Sequence, residues 1–247
     1  MRKVFFVLGL IMPLVFGSCS NDDNNGKSLA VSPSTVTLYS GDTQQLVADG
    51  EVTSWKSDNE YVAFTENDGD VEAFHVGTAH IVATGPNGKG ECVVTVRAKY
   101  SFKYEPYLQF GASMDDVKKA VKYEVYKEEA DVITFADADS KFLWSYHFNK
   151  NGKLMSIAMI GSLTSYPSYM SDYLIERYEI YTYNKDENGN YSFYYGDAIE
   201  LDDANVIVDY SLSKNNITIV WLCRDYQDNK SSSKKSIESL AKSFVLD

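Results

Sequence analysis

Between Leu29 and Arg97 the apolar residues fall on every second position, and no run lasts more than a few residues before turn formers break it. Val36 alternates with Leu38 and Leu46 with Ala48. Trp55 follows, then Val62 with Phe64, Val71 with Ala73, Ala79 with Ile81 and Ala83, and finally Cys92 with Val94 and Val96. Between them lie Ser40-Gly41-Asp42, Asp49-Gly50, Asp58-Asn59, Asn67-Asp68-Gly69-Asp70 and Gly85-Pro86-Asn87-Gly88. A period of two belongs to a strand with one buried face, and Gly, Asn, Asp and Pro supply the backbone angles of tight turns. Many short strands spaced by such turns predict an antiparallel β-sandwich. The same period puts Cys92 inward with Val94 and Val96, so its thiol reads as structural.

The segments "VSPSTVTLYSGDTQQLVA", "VTSWKSDNEYVAF", "DGDVEAFHVGTAHIVATG" and "CVVTV" resemble, in their order, the bacterial Ig-like domain, group 2. The shared order is an opening strand, a Gly-led turn, a core tryptophan, a Gly-x-Val element, a Val-Gly-Thr-Ala turn and a closing Val-x-Val strand. The resemblance implies a domain over residues 29–98, a surface context and no catalytic residues to carry over. His75 and His80 could suggest a metal pair. Their spacing of five would place them on opposite faces of one strand, and Gly77 marks a turn between them, so no metal site is expected.

The chain opens with Arg2-Lys3, an apolar run from Val4 to Phe16, and Gly17-Ser18-Cys19. That run is too short for a spanning helix, which needs about 20 residues, and it has the length of a signal-peptide core. The segment resembles a bacterial lipoprotein signal, which implies a signal peptide over 1–18 and acylation of Cys19 as the first mature residue. Residues 19–28 contain Ser20-Asn21-Asp22-Asp23-Asn24-Asn25, which cannot bury apolar surface and reads as a solvated, lipidated tether. An acidic run after the lipid cysteine also resembles an export signal to the outer face of the outer membrane. The expected place is therefore the outer membrane, lipid-anchored, on the cell surface, with the periplasmic face as the alternative.

The formal charge of the precursor is −12, from 23 basic and 35 acidic residues. Removing residues 1–18 removes Arg2 and Lys3 and no acid, so the mature chain carries −14. Such a chain argues against nucleic acid and against a polybasic membrane patch as partners. Cys92 and Cys223 fall in separate domains and in apolar strands, and buried free thiols are expected at both, although an oxidising compartment would allow pairing.

Residues 99–247 read differently. Ser113 and Asp116 form a capping box ahead of Val117, Ala120 and Val121, with Asp115 and Asp116 at the positive end of the helix dipole. Strands are predicted at about 131–135, 141–149 and 153–160. A second helix is predicted from about Ser168 to Thr182 on the spacing of Met170, Tyr173, Leu174, Arg177, Tyr178 and Tyr181, with strands near 191–196, 204–213 and 216–224. "WSYHFNKNG" (144–152) overlays "VDYSLSKNN" (208–216) at an offset of 64, with Tyr146 on Tyr210 and Phe148 on Leu212. Asn-Gly and Asn-Asn both suit a two-residue hairpin turn. The fold class is thus an all-β Ig-like sandwich plus an α+β domain, in which a helix followed by three or four antiparallel strands is duplicated. "FGASMDDVKKAV…FLWSYHFNKNGKLMSIAMI" resembles the β-lactamase-inhibitor-protein-like superfamily, which implies protein binding without catalysis.

No phosphate loop, nucleophile elbow or metal-ligand spacing occurs. Phe142, Trp144, Tyr146 and Phe148 share one strand face and read as core rather than as a sugar platform. The tyrosines from Tyr166 to Tyr195 could form a recognition surface. The acid clusters Asp137-Asp139, Asp186-Glu187 and Asp202-Asp203 read as solvated turns, and residues 230–235 as a polar loop before an amphipathic segment from Ile237 to Val245. No catalytic residue, metal or cofactor is assigned. The leading expectation is a non-enzymatic, surface-anchored lipoprotein that binds a protein or glycan through residues 99–247. The alternatives are a periplasm-facing accessory or inhibitor-type lipoprotein and a hydrolase whose catalytic set is unrecognised.

Overall fold

The computed structural model describes residues 28–103, 105–137, 142–165 and 168–227. The signal segment, Cys19, the tether before Ser28, Asp139, Tyr166, the polar loop 230–235 and the segment from Ile237 to Val245 lie outside the described residues. No described helix is long and apolar enough to cross a membrane.

Residues 28–97 build nine short strands: β1 (Val31–Ser32), β2 (Thr35–Tyr39), β3 (Thr43–Gln45), β4 (Val47–Ala48), β5 (Ser54–Ser57), β6 (Ala63–Thr65), β7 (Asp70–Ala73), β8 (Gly77–Gly85) and β9 (Gly88–Arg97). They form a four-stranded sheet in the order β2-β9-β8-β5, a three-stranded sheet β3-β7-β6, and the pair β1-β4. Trp55, Val71, Ala79, Ile81, Cys92 and Val94 are buried in one core, as the period-two pattern requires. Two details depart from the expectation. β2 runs parallel to β9. Phe64 does not share the core with Val62. Val62 precedes β6, its N–H bonded to Asn59, and within the strand Ala63 and Thr65 face inward opposite Ala73 and Val71. The phase therefore switches by one residue, and Phe64 is turned outward.

Among its described residues the second unit holds two α-helices and one antiparallel sheet. α1 (Met114–Ala120) is followed by β10 (Glu124–Glu128), β11 (Val132–Ala136), β12 (Phe142–Phe148) and β13 (Leu154–Ser162). α2 (Met170–Ile175) is followed by β14 (Glu179–Lys185), β15 (Tyr191–Gly196), β16 (Val206–Leu212) and β17 (Asn216–Cys223). The eight strands lie in the order β10-β11-β12-β13-β17-β16-β15-β14. Two four-stranded meanders thus meet through their last strands. At the centre of the β13–β17 ladder Ala158 faces Val220, flanked by Ile157 opposite Trp221 and Met159 opposite Ile219.

The register explains an irregular offset between the halves. Tyr146 and Tyr210 differ by 64, whereas Ala158 and Val220 differ by 62. One residue of this difference lies in the hairpins. Asn149 pairs with Lys153 around a three-residue turn, and Ser213 pairs with Asn216 around a two-residue turn. The other is Met155, the extra residue of a bulge in β13 opposite the step from His147 to Phe148, which the continuous β16–β17 ladder lacks. The expected two-residue turn at Asn151-Gly152 is therefore one residue longer, with Gly152 at φ +69°, a left-handed position that suits such a loop.

One face of the sheet carries the core. Phe142, Trp144, Tyr146 and Phe148 of β12 pack there with Ile157, Met159, Ile219 and Trp221, under Val117 of α1 and Met170, Tyr173 and Leu174 of α2. The capping box forms as expected: the Ser113 hydroxyl accepts the Asp116 N–H, and the Asp116 carboxylate accepts the Ser113 N–H. The second helix is shorter than its apolar spacing predicts. The N–H groups of Arg177 and Tyr178 both converge on the Leu174 carbonyl, the helix ends, and the chain from Glu179 onward joins the sheet beside β15. Tertiary pairing overrides helical periodicity here.

Candidate functional site

The other face of the sheet is polar and divided along its strands. At the end where β16 begins, the loop 197–205 covers it: Ala204 packs on Ile207, Val220 and Leu222, with Leu201, Ala198 and Tyr181 beside them. At the opposite end, near the β16–β17 hairpin, the face opens into a groove of about 340 Å³. Successive strands bring Ser192, Ser211, Thr218 and Ile160 into one cross-strand row, because each is paired with the next. The neighbouring row runs Tyr194, Asp209, Val220, Ala158.

Asp209 is the charged residue of these rows. It is 8% exposed and lines the groove. The Ser211 hydroxyl donates to its Oδ1 at 2.7 Å, and Ser211 is in turn 2.9 Å from the Ser192 hydroxyl. Burial raises the Asp209 carboxyl above the ordinary aspartate range, and the Ser211 hydroxyl opposes this only in part. Asp186, which also lines the groove, is committed elsewhere. Its carboxylate accepts the backbone N–H groups of Asn188 and Asn190 and the Asn190 side-chain amide, so it shapes a turn.

A second constellation lies where the two units meet. The Glu176 carboxylate, 3% exposed, accepts the N–H groups of Lys99 at 2.8 Å and Tyr100 at 3.1 Å, in the segment joining the units. Arg177 donates to Glu176 and to the carbonyls of Tyr173 and Tyr100, with its guanidinium 3.8 Å from the Tyr173 ring centroid. From the first unit, the Val76 N–H donates to the Glu176 carbonyl at 2.8 Å, and the Tyr61 hydroxyl donates to the Arg177 carbonyl at 2.7 Å. His75 stacks on Tyr61 with ring centroids 4.3 Å apart. Its Nδ1 lies 3.1 Å from the Ile175 carbonyl and its Nε2 3.2 Å from the Glu179 carboxylate.

The residues singled out from sequence fall into place unevenly. His75 joins the junction, and His80 pairs with Asp58 at 2.8 Å on the surface. Among the described residues no group of three or more His, Cys, Asp or Glu side chains could hold a metal. Cys92 and Cys223 are both buried and free. The tyrosine stretch divides. Tyr173 and Tyr195 are buried, and Tyr191 and Phe193 are half-buried on the core face. Tyr183 is 65% exposed and stacks on Phe193 with centroids 6.1 Å apart. Asp137 is not a solvated turn residue: it is buried, and its carboxylate accepts the Phe142 N–H. Sequence reasoning missed Asp209, Glu176 and Tyr61. A signal existed for Asp209, since an acid interrupts "VIVDYSL" on the face opposite Val208 and Tyr210. None marked the junction, whose partners are about a hundred residues apart.

The first unit supports a direct comparison. Residues 26–96 match the bacterial Ig-like domain (group 2). The match covers all four segments quoted above and less than a third of the chain. No curated protein matches the chain. In the Ig-like domain the side chains that reach the second unit, Tyr61 and His75, stand just before β6 and just after β7.

Proposed function

We propose that the chain is a non-enzymatic cell-envelope lipoprotein, anchored through lipid on Cys19, whose Ig-like domain holds a ligand-binding second unit away from the membrane. The second unit is an α+β domain made by duplication of a helix and four antiparallel strands, in line with the resemblance to β-lactamase-inhibitor-like proteins. Its partner is a protein or a glycan. One observation carries this reading: a grooved polar face lies on a sheet whose other face carries the core, and the sheet is fastened to the Ig-like domain through Glu176, Tyr61 and His75. A fastened module sets its groove at a defined orientation to the anchor. The acidic charge of the chain fits a domain that stays off an anionic membrane surface. The two groove carboxylates favour binding over hydrolysis, because Asp186 is saturated by turn amides.

The anchor and the placement are tested together. Mass spectrometry of the native protein should find diacylglycerol on Cys19, and protease treatment of intact cells should release the protein. An unmodified thiol at Cys19 overturns the lipoprotein reading. Resistance of an acylated protein to shaving places it on the periplasmic face instead.

A further inference from the structure

We infer that the groove at the hairpin end of the sheet's polar face is a subsite for an uncharged, hydroxyl-rich ligand, a saccharide unit. This rests on the binding role proposed above and assigns that role a site and a ligand class.

The argument begins with an internal control. The two halves of the sheet place Ser145 and Asp209 at the same position, 64 residues apart, on the same face. Ser145 is paired with Ala158 as Asp209 is paired with Val220. Ser145 is 4% exposed and is satisfied by one hydroxyl, Thr134 at 2.9 Å. The fold therefore needs no acid at this position, and a neutral hydroxyl fills it. A carboxylate there costs free energy, because a buried charge without a counter-charge is poorly compensated. Among the described residues no cation pairs with Asp209. Its single hydrogen bond comes from Ser211, and its second oxygen accepts no donor among the described residues.

The lining decides the class of ligand. Ser211 spends its proton on Asp209, so its oxygen can accept the Ser192 proton 2.9 Å away. The chain of three groups is thereby polarised toward the carboxylate and leaves acceptor sites open, above all the second oxygen of Asp209. Such a site wants donors, and two neighbouring sugar hydroxyls can both donate to one carboxylate. Thr218 and Asn216 add neutral groups that both donate and accept, while Ile160 and Val220 give an apolar floor for a sugar's C–H face. Among the described residues no lysine, arginine or histidine lines the groove, so phosphate, sulfate or uronate groups would meet only like charge from them. The volume of about 340 Å³ lies at the small end of the range for ligand sites, about 300–1,000 Å³. A lysine side chain could also reach Asp209, but it would leave the hydroxyl row unused.

The test uses the full mature chain. Titration calorimetry and saturation-transfer NMR are run with the methyl glycosides of glucose, galactose, mannose and N-acetylglucosamine and with neutral oligosaccharides built from them. Polygalacturonate and a lysine-rich peptide serve as charged controls. At least one neutral sugar should bind. Asp209→Asn should weaken it by about tenfold, or about 1.4 kcal/mol, and Ser192→Leu, which fills the groove from a half-buried strand position, should abolish it. Both variants should keep a cooperative thermal transition; Ser192→Leu carries the test if Asp209→Asn unfolds. Binding of no neutral sugar overturns the inference, as does preference for either charged probe. A sugar or protein that binds the wild type and both variants equally also overturns the groove assignment, while the broader binding role stands.

Discussion

Asp209 shows how one side chain can carry a cost that its fold does not require. Its carboxyl is raised by burial, so the folded state holds the proton more tightly than the unfolded chain does. The stability contributed by the protonated form is complete below the unfolded pKa and is lost as pH rises through the raised folded value. Asp209→Asn removes that loss. The variant should melt higher than wild type at neutral pH, and the gain should fade as pH drops below the ordinary carboxylate range. Thermal unfolding followed by circular dichroism at a series of pH values measures it, and an equal shift at every pH would show that the charge is not the cause. Tyr146 behaves more simply: it is buried in the core, its hydroxyl accepts the Tyr107 N–H at 3.2 Å, and burial pushes its phenol up to about 12. Phe64 marks the limit of residue-level reading. Its alternation with Val62 is real in sequence, but only the start of β6 decides which of them faces the core.

Among the elements, the two edge strands behave as a pair. β10 and β14 each carry a one-residue bulge, and in both the extra residue is a tyrosine. Tyr126 lies between Val125, opposite Phe135, and Lys127, opposite Thr134. Tyr181 lies between Ile180, opposite Tyr195, and Thr182, opposite Tyr194. Bulges bend and twist an edge and discourage pairing with another chain. The two tyrosines then diverge. Tyr126 is 70% exposed, whereas the Tyr181 hydroxyl donates to the Ala198 carbonyl at 2.6 Å and braces the loop over the polar face. The sequence predicts neither edge strand: β10 is exposed throughout, and helical spacing runs on to about Thr182, into β14. The β12–β13 hairpin offers a test at this scale. Gly152→Ala must hold a Cβ at φ +69°, which costs about 1–2 kcal/mol. Its urea midpoint should fall accordingly, and Gly152→Asn, which tolerates that conformation better, should fall less.

For the whole molecule the decisive contact is the one between the units. Glu176 gathers the two N–H groups of the connecting segment and the Arg177 guanidinium out of water. Removing one partner of a buried charged network costs about 3–5 kcal/mol, because the remaining groups stay desolvated. Glu176→Ala should therefore loosen the second unit from the Ig-like domain. Small-angle scattering should show a wider spread of shapes, with the Ig-like domain's own melting transition unchanged. A scattering profile identical to wild type would mean that Tyr61, His75 and Val76 hold the junction without it. What the sequence alone determined was local: the period-two strands of the Ig-like domain, its inward cysteine, the capping box on α1 and the repeated Tyr-x-Phe/Leu hairpins. Each of these depends on neighbours a few residues apart, whose spacing is written in the chain. Tertiary structure decided the rest. The end of α2, the meeting of two meanders at Ala158 and Val220, the burial of Asp209 and the junction at Glu176 all depend on partners far apart in sequence, and a period within one segment cannot encode what a distant segment will place against it.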